Sequence, residues 1–177
     1  QLDDDVIVAY GDIIFEEHLL AAAQNTAHDF GVVVDLDWKA LWTARYGRVD
    51  FDLESLSIQS GLITSLGEPN PSVDEIDARY VGLLRFSKRG CEIIKDLYDR
   101  AKRDFEGKVW LGGRPFEKVY MTDLLQELIR QGHPVSAIGV KRGWWEFDIN
   151  EDYELFQRLN ASGELKSFID VSQRDAR

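Results

Sequence analysis

Short apolar runs alternate with helical periodicities along this chain, and their order carries most of what can be read from it. Val6-Ile7-Val8-Ala9-Tyr10 is β-branched and closed by Gly11-Asp12, which predicts a buried strand with a polar residue at its end. Leu19, Leu20 and Ala23 share one face of the stretch from Glu16 to Gln24, a short amphipathic helix. Gly31-Val32-Val33-Val34 reads as a second buried strand and leads into Asp35-Leu36-Asp37-Trp38. Strand, helix and strand at this spacing predict a βαβ unit in a parallel sheet.

The middle of the chain changes character. Ser57-Ile58-Gln59 and Leu62-Ile63-Thr64, split by Ser60-Gly61, predict a hairpin, and Gly67 to Ser72 a loop. Tyr80 to Phe86 is another strand. Ile93, Ile94, Leu97, Tyr98, Ala101 and Phe105 then fall at helical spacing. Leu111-Gly112-Gly113-Arg114-Pro115 interrupts the pattern. Thr122 is placed to cap a helix burying Leu124, Leu125, Leu128 and Ile129, stopped by Gly132 and Pro134. Val135 to Val140 and Trp144 to Asp148 are the last strands. Asn150 is expected to cap a final helix with Glu151 and Asp152 in its first turn. The segment 163–177 reads as a polar tail anchored by Leu165, Phe168, Ile169 and Val171.

Composition narrows the classes of function. A formal net charge of −11 argues against a nucleic-acid partner, which would need clustered Lys and Arg, yet suits a divalent cation that bridges carboxylates to phosphates. No stretch approaches the roughly 18 apolar residues of a membrane helix. The acidic start at Asp3-Asp4-Asp5 shows no signal-peptide pattern, and the single cysteine, Cys91, can form no internal disulfide. A cytoplasmic location is expected on those grounds, with room for a homo-oligomer.

Two aspartates stand out by position. Asp12 follows the first strand, Asp148 closes the last, and ligand sites in α/β sheets lie at the carboxyl ends of strands. A bridged Mg2+ would use such a pair; the plainer reading is a turn residue and a helix-preceding residue. Asp35-Leu36-Asp37 is an Asp-x-Asp signal of the kind metal-dependent glycosyltransferases use, although acidic loops after strands are common. Gly112-Gly113-Arg114 could approach a phosphate or simply turn the chain. His18, His28 and His133 show no ligand spacing, Cys91 reads as packing, and at least one of Trp144 and Trp145 as core.

The ordered blocks Tyr10-Gly11-Asp12-Ile13-Ile14-Phe15, Val34-Asp35-Leu36-Asp37-Trp38, Tyr80-Val81-Gly82-Leu83, Met121-Thr122-Asp123-Leu124-Leu125 and Gly143-Trp144-Trp145-Glu146-Phe147-Asp148 together resemble one family. It is the nucleotidyltransferases related to sugar-phosphate nucleotidyltransferases, above all those acting on phosphocholine or aminoethylphosphonate with CTP, including domains linked to phosphoenolpyruvate phosphomutase. The resemblance implies an α/β, Rossmann-like mixed but mostly parallel sheet flanked by helices, lacking its N-terminal strands. Residues 1–162 would be the C-terminal portion of the domain. It implies that Asp12 and Asp148 hold a catalytic Mg2+. The partners would be a nucleoside triphosphate, CTP favoured, and a small phosphorylated or phosphonate acceptor, with release of pyrophosphate. The family's Gly-rich phosphate loop has no counterpart here, so the chain alone is expected to be inactive. The competing expectations are a glycosyltransferase that uses Asp35 and Asp37, and a non-catalytic binding domain of the same fold.

Overall fold

The computed structural model describes residues 2–69 and 71–172; Asn70 of the expected loop and residues 173–177 of the expected tail lie outside them. Its strands are β1 (Val6–Ala9), β2 (Ile13–Phe15), β3 (Phe30–Asp35), β4 (Glu54–Gln59), β5 (Leu62–Pro69), β6 (Arg79–Phe86), β7 (Val135–Val140) and β8 (Trp144–Glu146). The helices are α1 (Glu17–Gln24), α2 (Trp38–Tyr46), α3 (Lys88–Phe105), α4 (Met121–Arg130) and α5 (Asn150–Ser162). Six strands form one sheet in the order β1-β6-β3-β7-β5-β4, while β2 and β8 make a separate two-stranded ladder.

The mixed, helix-flanked sheet is present, but its balance differs from the expected mostly parallel one. Among the described strands only β3 and β7 pair in parallel. The strand-helix-strand unit does place β1 and β3 in the same direction, yet they never touch. Strand β6 is inserted between them, antiparallel to both, so that Phe86 faces Val6 on one side and Phe30 on the other. Strand β1 pairs with β6 alone and forms one edge of the sheet.

Strand β3 is buried along its whole length because helices and loops cover both faces. Val33, Val81 and Leu83 point into a core with α1, α2 and the ladder; Phe30, Val32, Val34 and Leu84 point into a second core with α3 and α4. The period-two alternation of a strand sends neighbours to opposite cores. Beyond α5, Leu165 and Ile169 are buried in the first core beside Phe168, whereas Val171 is exposed.

Two helix starts differ from expectation. Helix α4 begins one residue before Thr122, and the Asp123 carboxylate accepts from the Tyr120 amide at 3.0 Å. Helix α5 begins at Asn150, and Asp152 accepts from the Ile149 amide at 3.1 Å. In both, a carboxylate in the first turn reaches back to satisfy an orphan N–H, the task assigned from the sequence to a capping side chain.

Gly82 shapes the approach to the site. The β3–β6 register shifts between Val32 and Val34, and Gly82 sits in this irregular stretch at φ +84°. The Tyr10 amide donates to its carbonyl at 2.9 Å, and a Cβ at Gly82 would lie 2.9 Å from Cγ of the Tyr10 ring. Replacement by alanine therefore meets both an unfavourable φ and a ring. Gly82→Ala is expected to lower stability by more than about 1 kcal/mol in urea denaturation and to alter the near-ultraviolet tyrosine signal. An unchanged midpoint and spectrum would show that the bulge does not need glycine.

Candidate functional site

The β2–β8 ladder joins two blocks that lie far apart in sequence. Ile13 pairs with Glu146, Ile14 with Trp145 and Phe15 with Trp144. One step further, the Phe147 amide donates to the Asp12 carbonyl at 2.9 Å. Asp12 and Asp148 consequently stand at the same end of one ladder, diagonally across it, and both are exposed. Ile13 and both tryptophans are buried in the first core, which fixes the ladder from beneath.

Asp148 is held by a residue that the sequence reading passed over. Arg45, with no exposed side-chain surface, donates from Nη1 to Glu146 at 2.6 Å and from Nη2 to Asp148 at 2.7 Å. Its Nε and Nη2 also form a fork on Asp152, both at 2.8 Å. The guanidinium lies over the rings of Tyr46 and Trp42, with centroids at 4.9 and 5.3 Å. Burial works against its charge, but hydrogen bonds to Asp152, Asp148 and Glu146 outweigh burial and raise its pKa. Burial likewise pushes Glu146 up, Arg45 pulls it back, and the neighbouring Asp148 charge pushes it up again. Asp152 ends below the ordinary carboxylate range: burial raises it, and the Arg45 bonds and the Ile149 and Asp148 amides more than reverse that. Only Oδ2 of Asp148 meets Arg45, so Oδ1 is left for another partner.

The Asp-x-Asp motif has a different fate. Asp35 is 1% exposed. It accepts from the Asp37 amide at 2.8 Å, the Arg142 amide at 3.3 Å and the Trp144 indole at 2.9 Å. Asp37 pairs with Arg142 at 2.7 Å. The motif ties the end of β3 to β8 and opens α2, which leaves Asp35 ill placed to ligate a metal.

Beside the ladder lies a cavity of about 260 Å³ bounded by Tyr10, Glu54, Arg79, Tyr80, Tyr120 and Glu146, among others. Tyr10 and Glu146 each precede one of the two aspartates by two residues, and neither aspartate is among the lining residues. Its charges are Asp52 just before β4, Glu54 at the start of β4, Arg79 at the start of β6 and Glu146 at the end of β8. Burial pushes Glu54 above the usual carboxylate range, with Arg79 drawing it back.

The remaining candidates are structural. Arg114 pairs with Asp123 at 2.9 Å and lies 4.1 Å from the Tyr120 ring centroid, so the glycine turn before it serves α4. His28 meets the Ser136 hydroxyl at 2.7 Å, His18 lies beside Glu16, and His133 packs on Phe30. Cys91 and both tryptophans of β8 are buried. Among the described residues, no group of three or more His, Cys, Asp or Glu side chains is arranged to hold a metal, and no helix is long and apolar enough to cross a membrane.

No family model matches the chain. It is 31% identical over 151 residues to CTP:phosphoglutamine cytidylyltransferase of Campylobacter jejuni, a match covering 85% of this chain and 58% of that protein. The chain thus spans 58% of the length of that curated relative. Its fold resembles an inositol-1-phosphate CTP transferase from T. maritima, with TM-score 0.54, 15% identity, and coverage of 94% of this chain and 58% of the other. It also resembles a nucleoside-diphosphate-sugar pyrophosphorylase from Vibrio cholerae, with TM-score 0.52, 17% identity, and coverage of 88% and 56%.

Removing the Arg45 charge strands three carboxylates. Arg45→Met is expected to cost about 3–5 kcal/mol of stability at neutral pH, as loss of one partner in a buried ion cluster does. The deficit should shrink in acid. Asp152 has a depressed folded pKa, so its contribution is complete above its unfolded value near pH 4 and is lost as pH falls through the folded value. Glu146, with a raised folded pKa, has the opposite sign: its ionisation destabilises the fold as pH rises through that value. Urea titrations of both proteins between about pH 3 and 7 measure this; a pH-independent difference would contradict it.

Proposed function

We propose that this chain, which belongs to the nucleotidyltransferase superfamily, contributes the metal-holding aspartates of a cytidylyltransferase. In this reading the whole enzyme transfers a cytidylyl group from CTP to a small phosphorylated or phosphonate acceptor and releases pyrophosphate. The observation that carries it is the position of Asp12 and Asp148 at the same end of the β2–β8 ladder, in a chain related over 85% of its length to a CTP-dependent enzyme.

The donor set suits Mg2+. Two exposed carboxylates offer hard oxygen ligands, and magnesium ordinarily takes one or two carboxylates while substrate phosphates and waters complete its shell. When bound there, the metal supplies neutralisation of charge on the triphosphate. Arg45 fixes one oxygen of Asp148 and aims the carboxylate. The backbone bond from Phe147 fixes Asp12. The acceptor's oxygen attacks the α-phosphorus, the bond to the β-phosphate breaks, and pyrophosphate departs. Positioning and electrostatics carry such a displacement, and no covalent enzyme intermediate is needed. The glycosyltransferase reading loses ground because Asp35 is buried and already engaged by three donors.

The test uses the full-length enzyme and pyrophosphate release. CTP should be the best of the four nucleotides, with activity dependent on Mg2+. Asp12→Asn and Asp148→Asn should each lower turnover by at least about 100-fold with circular dichroism unchanged. Asp37→Ala should cost less than either. If Asp37→Ala were the most damaging of the three, the metal would belong to the other motif.

A further inference from the structure

Four carboxylate oxygens converge on the Arg45 guanidinium, and the residues that supply them are not equally committed to it. Asp152 gives both of its oxygens, to Nε and Nη2, and its side chain is 3% exposed. Glu146 gives Oε2 to Nη1. Asp148 gives only Oδ2, to Nη2, and its side chain is 40% exposed. The Asp148 amide also donates to Asp152 Oδ2 at 2.9 Å, so main chain and side chain of Asp148 are tied to the same ion pair. Nη2 closes the ring, because it donates to Asp148 and to Asp152 together. Asp148 can turn its carboxylate only by giving up a charge-assisted bond.

This has two effects on any cation that approaches from solvent. First, ligands are withdrawn. Without the guanidinium, Glu146, Asp148 and Asp152 would leave three free carboxylates within one short segment. With it, Glu146 and Asp152 are engaged and Asp148 offers Oδ1. Second, the mode of ligation is restricted, since a carboxylate with one oxygen bonded to arginine is not free to chelate through both. Ca2+ takes about six to eight oxygens and often binds carboxylates through both. Mg2+ demands a near-ideal octahedron, keeps several waters and is commonly held by one or two carboxylates. Single-oxygen ligation suits the smaller ion and starves the larger.

We propose that Arg45 is a positioning residue for cation selectivity: by holding Asp148 Oδ2 it confines Asp148 to single-oxygen ligation and favours Mg2+ over Ca2+. The inference rests on the reading of Asp12 and Asp148 as metal-holding. Arg45 has no exposed side-chain surface and acts only through the carboxylates it bonds. Partners that orient a ligating group are ordinarily worth about 10–100-fold in metal affinity. An arginine that served the fold alone would, when replaced, weaken both cations alike.

The measurement is calorimetric affinity of the full-length enzyme for CTP in excess Mg2+ and in excess Ca2+. Acceptor is withheld, so nothing turns over. Comparing the ratio of the two dissociation constants between proteins cancels the nucleotide's own preference for either metal. Wild type should favour Mg2+, and Arg45→Met, which frees Asp148 Oδ2, should move the ratio toward Ca2+ by about 10-fold or more. Should Arg45→Met fail to fold, Arg45→Lys, which keeps the charge and loses the fork, should move the ratio the same way by a smaller factor. A wild type without preference for Mg2+, a ratio that substitution leaves unmoved, or equal weakening with both cations would overturn the selectivity role and leave the metal site standing. CTP affinity indifferent to divalent cation, to Asp12→Asn and to Asp148→Asn would instead overturn the metal-holding reading, and the inference with it.

Discussion

A guanidinium removed from water must be met by oxygen on every side, and Arg45 imposes that demand on three parts of the chain at once. Its fork on Asp152 fixes the start of α5, its Nη1 bond fixes the end of β8 through Glu146, and its stem places α2 beneath both. The two aromatic rings under it, Trp42 and Tyr46, come from the same helix, so the cation is sandwiched between its own helix and a distant strand. Desolvating such a charge is expensive unless the surrounding bonds are complete. Four such bonds are made here, and the geometry of the whole acidic segment from Glu146 to Asp152 follows from them.

The ladder that carries the two aspartates is small, and by itself a two-stranded sheet is marginal in water. It persists because Trp144 and Trp145 are both buried and because Asp35, at the end of the central strand, accepts from the Trp144 indole. The Asp-x-Asp segment therefore acts as a rivet between sheet and ladder. Arg142 adds a second tie, bonding Asp37 on one side and the Ser167 carbonyl on the other, which draws the segment after α5 against the ladder. The acidic site is thus braced from the central strand and from the chain's last described residues together.

Much of this was legible in the residues, and the gaps have physical causes. The strands at Val6, Gly31, Tyr80 and Val135 and the long helix before Phe105 announce themselves by period and length. Asp12 and Asp148 are visible because each follows an apolar run. Helix α2 was missed, although Trp38, Leu41, Trp42 and Arg45 fall at helical spacing; the acidic pair just before it drew the reading toward a loop. A basic residue in the buried phase of a helix is the available signal for an internal ion cluster. Its partners lie 101 to 107 positions away, which no local pattern can supply. Strand β2 has three residues, too few to show alternation, and exists because β8 pairs with it. The insertion of β6 between β1 and β3 is likewise a non-local choice. It turned an apparent parallel unit into an antiparallel neighbourhood and brought Arg79 to the cavity.

The position of β1 at the sheet's edge bears on how this chain behaves in bulk solution. Val-Ile-Val-Ala presents one row of backbone donors and acceptors to β6, and among the described residues no strand takes up the other row. An open apolar edge is a template for strand addition by a second copy. Two features oppose it: the aspartates just before the strand, with Asp5 engaged by Arg85 and by the Lys88 amide, and a net charge of −11 that keeps copies apart. Only the second is a long-range force, and salt shortens it to a Debye length of about 8 Å at physiological ionic strength. Colloidal stability of this chain is therefore set by ionic strength more than by the cohesion of its core.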